Sequence, residues 1–452
     1  MRVRRSVAGV SMRDVPVREL AALSGRAVPS LRQWVAERPR LGVARALLVL
    51  ATADALSDTE LRDELTVAHQ DARSADARSM SLVYGVFLHT HRQYRLTADH
   101  LLTHFARWPG DEVAGLMLDA FHACGEAGYR ERGDALAEEQ YALSGPESWT
   151  WTSRLAWVRA EQGRAEESHE LAGRALALFP RSGLAAHARA HAEHEQGAGP
   201  ASTAFLDTWL AADPEAVQFK HLNWHAALQS LACGDFADAR RRADEVLGRA
   251  DVGMRAAANW RLLLAGQTPA GRCDLTHVRE LLAAPGGMAE VFHTFNLALA
   301  LAVEAATDDL RALAHRAARD ERPDYRHVLA PVVQALAEIT AGRTAAAVDL
   351  LTGLTGLTGL TGLTGPTGLS ARTERLGGVR VEREIVQDTL ARALVDAGEH
   401  ARAAALLHPR ISSRAHHTYE DLLLAPKAPT ATPTAVLPAA PTAAPAAVLP
   451  VV

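Results

Sequence analysis

Small and apolar residues in the middle of the chain recur with a helical period, and the pattern breaks at regular steps. The stretch 155–180, LAWVRAEQGRAEESHELAGRALALFP, shows one full unit. Ala156 lies seven residues before Gly163, Leu171, Ala172 and Ala175 share one face of the segment after it, and Pro180 ends that segment. The pattern predicts a helix, a glycine turn, and a second helix stopped by proline. Glycine accepts the positive φ of a tight turn, and proline cannot continue a helix. A small residue at Ala156 lets the two helices cross closely. The plan repeats: Gly128, Gly163, Gly197 and Gly234 fall 35, 34 and 37 residues apart. Pro146, Pro180 and Pro214 follow the first three, and Ala190 and Ala227 occupy the crossing position in the next two units.

A period near 34 residues with these features is the tetratricopeptide signature. One hairpin cannot bury its apolar face, whereas stacked neighbours share a continuous core. The expected fold class is all-α: a tetratricopeptide-like helical-hairpin solenoid, wound as a right-handed superhelix of about eighteen helices. Residues 1–78 read as an N-terminal helical cap and 79–424 as the solenoid. The run LTGLTGLTGLTGLTG places glycine at every third position, which disfavours helix, so 351–370 is expected to be a flexible insertion. A last hairpin turns at Gly398. Residues 425–452 contain seven prolines among Ala, Thr and Val and are expected to be disordered.

Composition narrows the function more by exclusion than by indication. The 452 residues are 48% hydrophobic with a formal charge of −5, which leaves no footprint for nucleic acid or an anionic membrane. Residues 14–40 have the look of a helix-turn-helix. Arg32, Glu37 and Arg38 mix both signs on the second helix, so a cap is expected there and no nucleic-acid partner. Cys124, Cys233 and Cys273 lack metal-ligand spacing and point to a reducing compartment. The N-terminus lacks a secretory apolar core, and no run of about 18 apolar residues appears. The expected location is cytoplasmic, without a membrane partner. Gly-rich phosphate loops, G-x-S-x-G, H-E-x-x-H and C-x-x-C are absent, so no cofactor is assigned.

Four segments carry a family likeness: AWVRAEQGRAEESHELAGRALALFP, HARAHAEHEQG at 187–197, HLNWHAALQSLACGDFADA at 221–239 and NWRLLLAG at 259–266. With them, residues 79–419 resemble the tetratricopeptide repeat protein 38 family, and 381–407 is similar to its closing hairpin. The paired His-x3-His segments are more specific than the generic repeat. The resemblance implies an all-helical repeat fold with a poorly defined biochemical role. The chain departs from the family pattern at Thr152-Ser153, where a His-Gly pair is usual, and at Asn223, where tryptophan is usual. It departs again at His194, where glutamate is usual, and at Gly378-Val379, where Gly-Ser precedes the closing hairpin.

Histidine placement is the strongest functional signal. In a tetratricopeptide pair the first helix lines the concave groove, at about thirteen, ten, six and three residues before the turn glycine. Those positions hold His187, His191 and His194 before Gly197, His221 and Trp224 before Gly234, Trp157 before Gly163, and His122 before Gly128. His225 falls one residue off this register. Together with Arg261, these residues are expected to line a groove for a protein segment or a small ligand, since imidazole and indole offer both stacking and hydrogen bonds. Arg261 either reaches into the groove for an anion or staples helices to an acidic partner. The favoured reading is a binding or scaffold protein rather than an enzyme. The alternative is an enzyme, metal-dependent in one form. His187 with His191, and His221 with His225, lie four apart on adjacent helices and are candidate metal ligands. The two readings differ in shape: a partner groove is open, whereas an enzyme site is enclosed with the four histidines converging.

Overall fold

The computed structural model describes residues 10–248, 252–355 and 373–426. The proline-rich tail past Pro426 and the end of the Leu-Thr-Gly run lie outside these residues. Helices Trp149–Glu161 and Ala165–Leu178 meet around Gly163, Gly183–Gln196 and Pro200–Ala212 around Gly197, and Phe219–Ala232 and Phe236–Arg241 around Gly234. The three glycines adopt φ of 74°, 63° and 78°. Ala156, Ala190 and Ala227 are fully buried where helices cross. The Ser168 hydroxyl donates to the Ala156 carbonyl at 2.8 Å, which the close approach permits. Further hairpins follow, from Val252–Leu264 with Leu275–Ala283 to Arg380–Asp396 with His400–Ser413. Among the described residues there are 23 α-helices and no strand. The number exceeds the expected eighteen because short helices such as Ala120–Ala123 and Thr418–Leu424 punctuate the longer ones.

Two local expectations need correction. The first repeat turns at Gly125, with φ of 75°, and Gly128 lies inside the helix Ala127–Ser144. Glu126, extended at φ −97° and ψ 123°, caps that helix and starts it before Gly128 is reached. The helix Thr344–Thr355 also runs into the Leu-Thr-Gly repeat. Leu351 and Leu354, one turn apart, are buried in the core, and that burial outweighs the cost of Gly353 between them.

The superhelix closes on itself. From one side, Ala22 and Leu23 of the N-terminal hairpin accept backbone hydrogen bonds from Gly183 at 2.8 Å and Val217 at 2.9 Å. Arg181 pairs with Glu19 at 2.7 Å. This is the segment with helix-turn-helix appearance; Ala27, Leu31 and Trp34 of its second helix are buried. From the other side, Ala415 and His416 donate to the carbonyls of Gln196 and Gly197 at 2.9 and 3.1 Å. The Trp260 indole donates to the Thr389 hydroxyl at 2.9 Å. One hydrophobic core runs from Val10 to Trp151, so the cap is continuous with the helices after residue 78.

Gly197 serves both the turn and this closure. A Cβ there would stand 2.7 Å from Arg414 Cβ and 2.9 Å from the Ala415 nitrogen, on a backbone already left-handed. Gly197→Ala is expected to lower stability by about 2 kcal/mol or more. Gly173→Ala is the control: it is helical with nothing within 4 Å of the added Cβ, and is expected to stabilise by roughly 0.5–1 kcal/mol. Thermal denaturation of the two variants checks the opposite signs.

Candidate metal centre

His187 and His191 stand one turn apart on Gly183–Gln196, and His221 and His225 on Phe219–Ala232. These are the first helices of consecutive hairpins, packed side by side, and their four imidazoles meet between them. One ligand nitrogen from each ring lies within 4.8 Å of all the others. His191 Nε2 is 2.8 Å from His187 Nε2, which is 2.9 Å from His221 Nε2, which is 3.1 Å from His225 Nε2. The rings stand edge-to-face or tilted, with His187 and His221 centroids 4.6 Å apart at 87°.

Three such contacts are difficult to satisfy with protons alone. An imidazole nitrogen carries one proton or one lone pair in the ring plane. His187 Nε2 faces two neighbours and so does His221 Nε2. No assignment of one proton or lone pair to each nitrogen makes all three contacts linear hydrogen bonds. A cation accepts all four lone pairs at once. Metal–nitrogen distances of about 2.0–2.1 Å require nitrogen–nitrogen edges of about 2.9 Å in a square and 3.3 Å in a tetrahedron. The three short contacts lie within tenths of an ångström of these edges, while the nitrogens that stand farther apart, up to 4.8 Å, would have to draw in around an ion.

The electrostatics agree. Burial holds His187, His191 and His225 well below the usual 6.5, and repulsion among the rings adds to it. Burial brings His221 down to about 4. Neutral imidazole is the form that ligates a metal. Outside the ring of nitrogens, His191 Nδ1 lies 3.5 Å from Glu161 Oε1, a buried oxygen that makes no hydrogen bond. Gln218 Nε2 sits 3.3 Å from His187 Nδ1 while its own Oε1 is buried without a partner. Turning the amide over exchanges the two atoms and gives that oxygen the Nδ1–H donor. His225 Nδ1 is buried without a hydrogen bond, and the ring is held by packing on Trp224 at 5.1 Å and His191 at 4.6 Å.

A cavity of about 480 Å³ ends at His187 and Gln218. Its wall is mostly apolar, with Leu20 and Val28 of the N-terminal hairpin facing Leu184 and Val217. His122 and Trp157 line it, their rings 4.6 Å apart, with His122 Nε2 3.3 Å from Asp134. The other groove candidates lie elsewhere. Trp224 is buried at 1% exposure, behind the histidines rather than in an open groove. His194 bonds Glu384 at 3.0 Å, on the closing helix. Arg261 is a staple: its Nη2 donates to the Val381 carbonyl at 3.0 Å and its Nε lies 3.5 Å from Asp388. The interior face was legible from register, but the closure of both chain ends over it was not. Arg154, Glu161 and Gln218 went unread. One signal was present: Arg154 lies nine residues before Gly163, the place His225 holds before Gly234. The off-register position therefore also faces inward.

The departures from the tetratricopeptide repeat protein 38 pattern sit off the centre. Thr152 and Ser153 bond carbonyls of their own helix at 2.7 Å, and Asn223 accepts from Arg242 at 3.1 Å. Comparison with protein-family models finds no match, and none is found among curated proteins. Among solved structures, the chain is similar to one described as "Structure of Naa15/Naa10 bound to HypK-THB". The match covers 88% of this chain and 67% of that one, at 13% identity and a TM-score of 0.21, a superposition too loose to carry residues across. Among the described residues no helix is long and apolar enough to cross a membrane.

Proposed function

We propose that this protein holds one divalent transition-metal ion on His187, His191, His221 and His225, and that the adjoining cavity delivers a small molecule to it. The chain is then a metal-dependent enzyme built on a helical-repeat scaffold of the tetratricopeptide repeat protein 38 type. The observation that carries this reading is the convergence of four imidazoles, three buried and His221 half-buried, with burial disfavouring their charged forms. An all-imidazole set suits Zn, Cu, Ni or Fe. An ion held there would supply Lewis acidity, to polarise a carbonyl or activate a water, beside the cavity that His187 borders. Among the described residues, the N-terminal hairpin lines the cavity opposite His187, and the closing helix meets His194, which favours a small molecule over an extended peptide. A protein partner would instead use exposed surface, where Tyr84, Phe87 and Leu96 offer apolar area.

The test is metal content. Protein prepared without chelator or a histidine tag is expected to retain about one ion per chain, and the stripped protein to take up one cobalt(II) with ligand-field bands of a nitrogen site. Failure to retain or take up any of zinc, copper, nickel, iron or cobalt would sink the proposal and leave the cluster as packed core.

A further inference from the structure

The cavity beside the histidine centre contains one cation whose counter-charge is missing. Arg154 projects from Trp149–Glu161 into it, half-buried, and makes no hydrogen bond or ion pair with any described residue. Its guanidinium stays charged at any ordinary pH. The carboxylates around the same cavity face groups other than Arg154, and only Asp54 faces a permanent cation. Asp134 faces His122 at 3.3 Å, Asp119 faces His89 at 3.7 Å, and Asp54 faces Arg92 at 3.8 Å. Glu112, in a small recess that Arg154 also borders, accepts from the Ser148 hydroxyl at 2.5 Å and from that of Thr150. Burial acts against the charge on Arg154, and Asp119 alone acts for it, from beyond ion-pair distance. A guanidinium left this way among leucines and valines is unfavourable unless something binds it.

Resting on the reading of this cavity as the substrate chamber of the metal centre, we infer that its ligand is a small monocarboxylate with an apolar body. The carboxylate pairs bidentately with Arg154, and the apolar body fills the space toward His187. The charge follows from the lining. One free guanidinium stands among Asp54, Asp119 and Asp134, so a single negative charge is matched and a phosphate dianion is repelled. The apolar body follows from Leu20, Leu50, Leu118, Leu184, Val158 and Val217, which offer contact and no hydrogen bonds. A volume of about 480 Å³ is in the range of small-molecule sites.

Calorimetric titration of the metal-loaded protein with octanoate, octanamide and octyl phosphate tests this. Octanoate is expected to bind roughly 10- to 100-fold more tightly than octanamide, and also more tightly than octyl phosphate. Arg154→Gln should remove the advantage over octanamide, and Arg154→Lys should keep part of it. Equal affinity for octanoate and octanamide in the wild-type chain, or no binding of either, overturns the inference without reliance on any variant. Preference for octyl phosphate overturns the monoanion. Metal content measured on the same samples separates the two proposals: a carboxylate preference lost in Arg154→Gln, in protein that takes no metal, supports the anion site and refutes the centre. A full complement of metal with no carboxylate preference does the reverse.

Discussion

The double substitution His187→Ala/His191→Ala is expected to reduce bound metal from about one ion per chain to below about a tenth, and to abolish any rise in melting temperature on adding metal. It removes both ligands of one helix and leaves His221 and His225 as an isolated pair. A bound ion adds about 4 kcal/mol at a thousandfold excess over its dissociation constant, because it binds the folded chain and not the unfolded one. The wild-type melting temperature should therefore climb with added zinc or nickel while that of the variant stays level. The variant also empties part of the space between two helices, which lowers its stability without metal. The diagnostic is thus the metal-dependent increment, not the absolute temperature. If the histidines were core residues only, metal would leave wild type and variant equally unmoved. The single variant His225→Ala sharpens the result. Its ring lies off the expected groove register yet 3.1 Å from His221 Nε2, so it should lose metal affinity as well.

The sequence carried the hairpins because their determinants are local. Gly163, Gly197 and Gly234 each need a positive φ, and Ala156, Ala190 and Ala227 each need to be small, within a few residues of one another. The paired histidines were legible for the same reason: spacing of four on a helix places two rings on one face. Convergence of the pairs depends on how adjacent helices are staggered, and a single register could not supply that. His187 lies ten residues before its glycine and meets His221, thirteen before its own. Gly128 was misread because two glycines three residues apart are equal candidates until the capping geometry at Glu126 is known. Closure was invisible in local pattern. Ala22 meets Gly183, and His416 meets Gly197, across long separations with no motif at either end. For Arg154 and Arg261, residue type alone could not distinguish a free guanidinium from a staple. Asp388, far along the chain, decides the second.

That closure should be broken by one side chain. Arg414→Ala is expected to destabilise the fold by about 3–5 kcal/mol and to expose the segment after residue 376 to limited proteolysis. Arg414 pairs with Glu384 and Glu420, both at 2.7 Å, while Arg410 holds Glu420 at 2.7 Å and Asp388 at 2.5 Å. With Arg261 on Asp388, three guanidiniums face three carboxylates, all buried except the half-buried Arg410. Removing one cation leaves Glu384 without its nearest partner in a dry interior, which costs more than the intact pair contributes. The double variant Arg414→Met/Glu384→Gln removes both charges and should recover much of the loss. If the single variant melts within about 1 kcal/mol of wild type, the network is not what holds the chain end down. Acid tests the same network. Burial pushes the Glu420 carboxyl up, but Arg410 and Arg414 more than reverse this and bring it from an ordinary 4.5 down to about 2. Its folded value is depressed, so the stability it contributes is complete above about pH 4.5 and is lost as pH falls toward 2. Glu384 is depressed in the same direction by the same two arginines, against its own burial. Proteolysis after residue 376 should therefore accelerate below about pH 4 in the wild-type chain, with an acid-stable protease as the probe. Arg414→Ala, having lost the cation that sets the shift, should already be cleaved at neutral pH and show a weaker further dependence on acid.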